Sequence, residues 1–169
     1  MIICGLALPA FVSAVVKPTK GLFVSGTVTS LDMTDSTEKV AGEISVRVFC
    51  DTIQVAETIT TRGGRYQFEI PFGNVYTIEF GGDSFCRKSI EIDCEQVSAK
   101  VLRQGHKMDI DIMVFESENP VWNDLLVKPV AKAFFDRRKN TFKFEEDYTE
   151  DRTKLIWEAL TAEIDSKQD

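Results

Sequence analysis

A mainly β fold, a seven-stranded antiparallel β-sandwich followed by a C-terminal hairpin and an amphipathic helix, is what this sequence predicts, and three observations predict it. Apolar and polar residues alternate with a period of two from Leu22 to about Phe115, the pattern of strands with one buried face. Gly, Asn and Asp punctuate these runs at the short spacing of sandwich turns. A chain of 169 residues that is 43% hydrophobic and contains twelve Phe can build one sizeable core but not two large domains.

Ahead of the first strand, "MIICGLALPAFVSAVVKP" is apolar from Ile2 to Val16, shorter than the roughly 20 residues of a spanning helix. Val12-Ser13-Ala14, with the polar Lys17-Pro18 behind it, gives residues 1–16 the form of a signal peptide, although no Lys or Arg precedes the apolar core. A start codon further upstream and a buried strand are the alternatives. The expectation is an exported chain, periplasmic, outer-membrane-associated or secreted, with no stable membrane span.

The strands follow in order. "LFVSGTVTS" sets Val24, Gly26 and Val28 on one face, "LDMTDSTEKVAGE" is a polar turn region, and "ISVRVFC" turns Ile44, Val46 and Val48 inward. "QVAETITT" is a third strand, Arg62-Gly63-Gly64 a turn, and "RYQFEI" a fourth with Tyr66, Phe68 and Ile70 on one face. Pro71 ends that strand and Gly73-Asn74 turn into "VYTIEF", so residues 60–80 read as a structural hairpin and not a catalytic loop. "KSIEI" is the sixth strand and "MDIDIMVF" the seventh, with Met108, Ile110, Ile112 and Val114 inward. Val46, Val48, Phe68, Ile78, Ile90, Ile92 and Ile112 are the expected core.

The run "SGTV", "AGEISVRV", "TTRGGRYQFEIPFGNVYTIEF" and "FCRKSIEID" resembles the carboxypeptidase regulatory-like domain, a transthyretin-like sandwich common in envelope proteins of Gram-negative bacteria. The resemblance covers residues 22–115. It departs from the family pattern at Thr61-Arg62, where Asp is frequent, so any role of that Asp is absent. It implies a sandwich and an envelope setting but no peptidase chemistry, which belongs to a separate zinc domain with His and Glu ligands. This chain has one His, His106, with no His-x-x-Glu spacing.

Residues 116–129 read as a linker, and 130–169 as a hairpin plus helix. Ala131–Phe135 and Thr141–Phe144 alternate around a solvated Arg137–Asn140 turn, and Asp147 with Glu150 forms a capping box for a helix from about Tyr148 to Asp165. Leu155, Ile156, Ala159 and Leu160 recur on one face of it. That stripe buries either on the chain's own hairpin or on a partner, which makes these four residues and Trp122 the candidate partner-binding set.

Little else points to chemistry. A formal net charge of −7 disfavours nucleic acid, and no phosphate loop, dinucleotide fingerprint or Gly-x-Ser-x-Gly setting occurs. Asp109 and Asp111 share a strand face where a cation could bridge them, but ordinary exposed alternation explains them equally. Beyond Cys4, three cysteines remain. Cys86 and Cys94, at the ends of one strand and roughly 26 Å apart at 3.3 Å per residue, cannot bridge each other, which leaves free buried thiols or a Cys50 link to one of them. No catalytic residue, metal or cofactor is expected. The expected function is a non-catalytic structural or protein-binding module of the cell envelope, bound to another envelope protein as an accessory to outer-membrane export, motility or surface assembly. The alternative is a glycan- or small-ligand-binding sandwich using Tyr66, Tyr76, Trp122 or Trp157, and an enzyme ranks last.

Overall fold

A computed structural model describes residues 20–82 and 84–168. Among them the order is β1 (Leu22–Leu31), β2 (Glu38–Val40), β3 (Ser45–Cys50), β4 (Ile53–Ile59), β5 (Arg65–Ile70), β6 (Val75–Gly81), β7 (Lys88–Asp93), α1 (Ala99–Gln104), β8 (His106–Asp109), β9 (Ile112–Phe115), α2 (Val121–Leu125), β10 (Ala131–Asp136), β11 (Thr141–Phe144) and α3 (Glu146–Gln168). The signal peptide expected over residues 1–16, with Cys4, lies outside the described residues.

Two sheets form the sandwich. In the first, β1 is central, pairing antiparallel with β5 along its first half and with β2 near its end. On its other side β8 and then β9 run parallel to it. The second sheet has the order β11-β10-β7-β6-β3-β4. The period-two pattern dictates the interior: Val24, Val28, Val46, Val48, Ile78, Phe80, Ile92 and Val114 have no accessible surface.

The mainly β sandwich with a C-terminal helix therefore stands, with corrections in detail. The described strands number eleven rather than the seven of the expected sandwich and two of the expected hairpin, and not all pairings are antiparallel, because β10 runs parallel to β7 as β8 and β9 do to β1. The run Met108–Phe115 is two strands broken at Ile110-Asp111. There Ile110 N donates to Ser25 O at 2.8 Å, Thr27 N donates to Asp111 Oδ1 at 2.8 Å, and Ser25 Oγ donates to Asp109 Oδ1. The two carboxylates, which exposed alternation explained as well as a bridging cation did, thus each bond β1.

Residues 60–80 are not a hairpin. β5 and β6 belong to different sheets, and Pro71–Asn74 carries the chain across the sandwich, since the same turn residues serve a sheet-to-sheet corner. The Tyr66 and Phe80 rings consequently meet across the core, edge to face at 5.3 Å. Phe68 is only partly buried against this core. Phe80→Ala is expected to destabilise by about 3–5 kcal/mol and Phe68→Ala by about half as much, read by chemical denaturation.

The C-terminal region also differs from its reading. β10 and β11 extend the second sheet, so 130–169 is no separate appendage, and the linker 116–129 contains α2. The helix begins at Glu146, which places Asp147 in its first turn rather than at a cap, where negative charge is favourable. The hairpin across Arg137–Asn140 is as expected.

Candidate functional site

α3 lies over the sandwich and is fixed along its length. Near its start Tyr148 OH donates to Pro129 O at 2.7 Å, and the buried Arg152 guanidinium donates to Pro129 O and Leu125 O, carbonyls at and behind the end of α2. In the middle, Ile156 and Leu160 enter a second core with Leu31, Met33, Phe115, Trp122 and Leu126. Near its end the Glu163 carboxylate accepts from Trp122 Nε1 at 2.7 Å and Ser117 Oγ at 2.7 Å and pairs with Lys167 at 3.0 Å. Burial alone would raise the Glu163 pKa, but the bonds from Ser117, Trp122 and Lys167 outweigh it and hold the carboxyl below its usual range. Its contribution to docking α3 is present at neutral pH and is lost as acid protonates it.

Beneath α3 is a cleft of about 450 Å³. Ile90 from β7, Ile112 from β9 and Ile156, Trp157 and Leu160 from α3 line it, together with Lys88, the first residue of β7. Lys88 shares strand parity with Ile90 and Ile92 and so points inward, with 5% of its surface exposed. Its Nζ donates to Met113 O at 2.7 Å and sits 4.7 Å from the centre of the Phe115 ring. An ammonium carries three N–H donors, yet the ion pairs among the described residues join Arg47 to Glu79, Lys132 to Glu91, Lys143 to Asp136 and Lys167 to Glu163, and none reaches Lys88. Burial pushes its pKa down to about 8, opposed weakly by the Cys86 thiol. Also lining the cleft is Thr149, whose Oγ1 is buried without a partner among the described residues. Glu38 and Asp111 line it too, each accepting a bond from β1.

The depressed Lys88 pKa has a sign that can be measured. Between pH 8 and the ordinary 10.5 the unfolded chain binds the proton that the folded chain has released, so stability rises with pH across that window. The gain is on the order of 2–4 kcal/mol. Lys88→Met is expected to abolish this rise and to be more stable than the unsubstituted chain at pH 7, as denaturation curves at pH 7 and pH 10 would show.

A larger hollow of about 820 Å³ lies at the far end of α3. Its walls mix polar side chains with Leu31, Met33 and Phe85, and its buried carboxylate, Glu163, already has three partners, so it offers less unmet chemistry than the Lys88 cleft.

The candidate partner-binding residues separate on the structure. Ile156, Leu160 and Trp122 are buried inside the chain and are not free for a partner; Ala159 is half-buried and Leu155 is 47% exposed. Of the aromatic platforms Tyr66 and Tyr76 are core residues, and only Trp157, 49% exposed, is open. Sequence reasoning missed Lys88, although its parity with Ile90 and Ile92 was a usable signal. His106 opens β8 against Phe142 at 5.5 Å, its Nε2 3.2 Å from Thr141 Oγ1, and burial lowers its pKa. Cys50, Cys86 and Cys94 are free thiols, with Cys94 pushed up to about 12 by burial and then by Asp93. Among the described residues no group of His, Cys, Asp or Glu is placed to hold a metal, and no helix is long and apolar enough to cross a membrane.

No family model matches the chain, and no curated protein matches it in sequence. Solved structures similar to it include catechol 1,2-dioxygenase from Pseudomonas arvilla C-1, at 10% identity over 63% of this chain and 56% of that one with a TM-score of 0.40. Others are 5-hydroxyisourate hydrolase from Klebsiella pneumoniae, at 16% identity over 56% and 91% with a TM-score of 0.37, and a minor pilin from Streptococcus agalactiae, at 7% over 60% and 47% with a TM-score of 0.39. The chain spans about half the length of the catechol dioxygenases it matches. These likenesses are compatible with a transthyretin-like sandwich. Against the expectation that the chain is not an enzyme stand the catechol 1,2-dioxygenases among these structures, whose likeness to it is one of distant fold similarity alone.

Proposed function

We propose that the chain is a small-ligand-binding β-sandwich protein of the cell envelope, with the cleft beneath α3 as its site. The observation that supports this reading is the buried Lys88 ammonium, which lines an apolar cleft of about 450 Å³ with no carboxylate among the described residues paired to it. A few polar groups in a mostly apolar concavity are the usual make-up of a ligand site. The apolar stretch Ile2–Val16 supports export, and the motif run from "SGTV" to "FCRKSIEID" supports a carboxypeptidase regulatory-like sandwich. Because Trp157 lines the cleft and Trp122 lies in the second core, ligand entry is expected to change Trp157 fluorescence, with Trp157→Phe as the control. A panel of apolar small molecules that leaves both this signal and the melting temperature unmoved would remove the reading. The envelope location falls if cell fractionation finds the uncleaved chain in the cytoplasm.

A second reading, a protein-binding accessory to export, motility or surface assembly, is favoured by β4. This edge strand exposes Ile53, Val55 and Ile59, and an edge can accept a partner strand. Val55→Lys is expected to abolish capture of such a partner from an envelope extract, and undiminished capture by the variant would sink it.

A further inference from the structure

We infer that the cleft takes an organic monocarboxylate with an apolar body, its carboxylate on the Lys88 ammonium and its body along Ile90, Ile112, Ile156 and Trp157. This rests on the cleft being a ligand site and adds the chemical class. Among the described residues Lys88 Nζ has one acceptor, the Met113 carbonyl, for three donors, and a buried cation left so is strongly disfavoured unless an anion completes it. A neutral ligand would cover the apolar wall and leave the ammonium as it is. A fully hydrophilic anion would satisfy Lys88 and leave the wall bare.

Charge around the cleft sets the number of carboxylates. Glu38 and Asp111 line it as well, so a second anionic group on the ligand would meet carboxylates already there, and like charges repel. The space, about 450 Å³, is in the ordinary range for small organic ligands. Thr149 Oγ1, buried and unpartnered among the described residues, is a second polar point in the same lining, available to a hydroxyl or carbonyl on the ligand.

The test uses the full chain with octanoate, octanol and the eight-carbon dicarboxylate suberate, read by calorimetry and Trp157 fluorescence. Octanoate is expected to bind about tenfold or more tighter than either of the others, a difference of about 1.4 kcal/mol or more. Lys88→Met should abolish the preference over octanol. In the unsubstituted chain the preference should also shrink above pH 8 as Lys88 loses its proton, with Glu38, Asp111 and the Cys86 thiol as the other titratable groups around it. This arm needs no variant and decides the matter if Lys88→Met fails to fold. Equal binding of octanoate and octanol, or a preference that persists at pH 10 or in Lys88→Met, overturns the carboxylate class and leaves the ligand site standing. Failure of all three compounds to bind overturns the carboxylate class, and failure of the wider apolar panel takes the ligand site with it.

Discussion

Deleting α3, residues 146–169, is expected to leave the remainder of the chain insoluble. The helix covers Leu31, Phe115, Trp122 and Leu126, all buried in the second core, and its loss would expose them as one contiguous apolar patch of the kind that drives aggregation. It would also strip Glu163 from Trp122 Nε1 and Arg152 from the carbonyls at and behind the end of α2, leaving polar groups to find water at a torn edge. This patch is not the hairpin, one of the two seats expected for the helix stripe. Phe135 and Phe142 pack against each other, with Phe72 and His106 around them, so they keep their cover without α3. A soluble, monomeric and well-folded truncation would show that the second core is dispensable. Leu160→Ala is the milder form of the experiment, with an expected loss of about 2–5 kcal/mol.

Gly26→Ala is expected to destabilise the sandwich by about 3–5 kcal/mol, combining overpacking with the loss of a buried hydrogen bond. A Cβ at this position would stand 2.6 Å from the Ile110 carbonyl carbon and closer still to its oxygen. Gly26 pairs with Tyr66 on β5, and the Tyr66 hydroxyl reaches across β1 to donate to that same Ile110 oxygen at 2.7 Å. Only a residue without a side chain lets β1, the β8–β9 break and the tyrosine converge there. Tyr66→Phe, which removes the bond and keeps the packing, should lose about 1–2 kcal/mol by comparison. Urea titration of the three proteins would order them, and an alanine variant as stable as the unsubstituted chain would refute the close approach.

Period-two alternation reports which face of a strand is buried, and it did so for Ile44, Val46 and Val48 and for Ile110, Ile112 and Val114. It does not report what a strand pairs with. Pro71–Asn74 therefore read as a hairpin turn when it is a corner between sheets, and β10 read as half of an isolated hairpin when it extends the sheet beside β7. Phe115 breaks its strand's parity and is buried nonetheless, because α2 and α3 cover the face that a lone sandwich would leave to solvent. The same cover explains the site. Ile156 and Leu160 were legible as an apolar stripe, but Trp122 lay in an apparent linker, and the Lys88 cleft exists only once α3 is laid across β7 and β9.

The placement of β1 has a consequence for how the chain acquires its structure. Its residues Ser25 and Thr27 bond to Asp109 and Asp111, 84 positions further along, and its register with β8 and β9 is parallel, so no tight turn can bring these partners together early. Closing so large a loop must precede any reward from the contacts, which places folding in the slow, millisecond-to-second regime of long-range β topologies. On a ribosome adding roughly 5–20 residues per second, β1 would wait on the order of ten seconds for its parallel neighbours. During that interval Leu22, Val24 and Val28 stand along an unpaired edge, and a chaperone that binds extended apolar segments would find its substrate there.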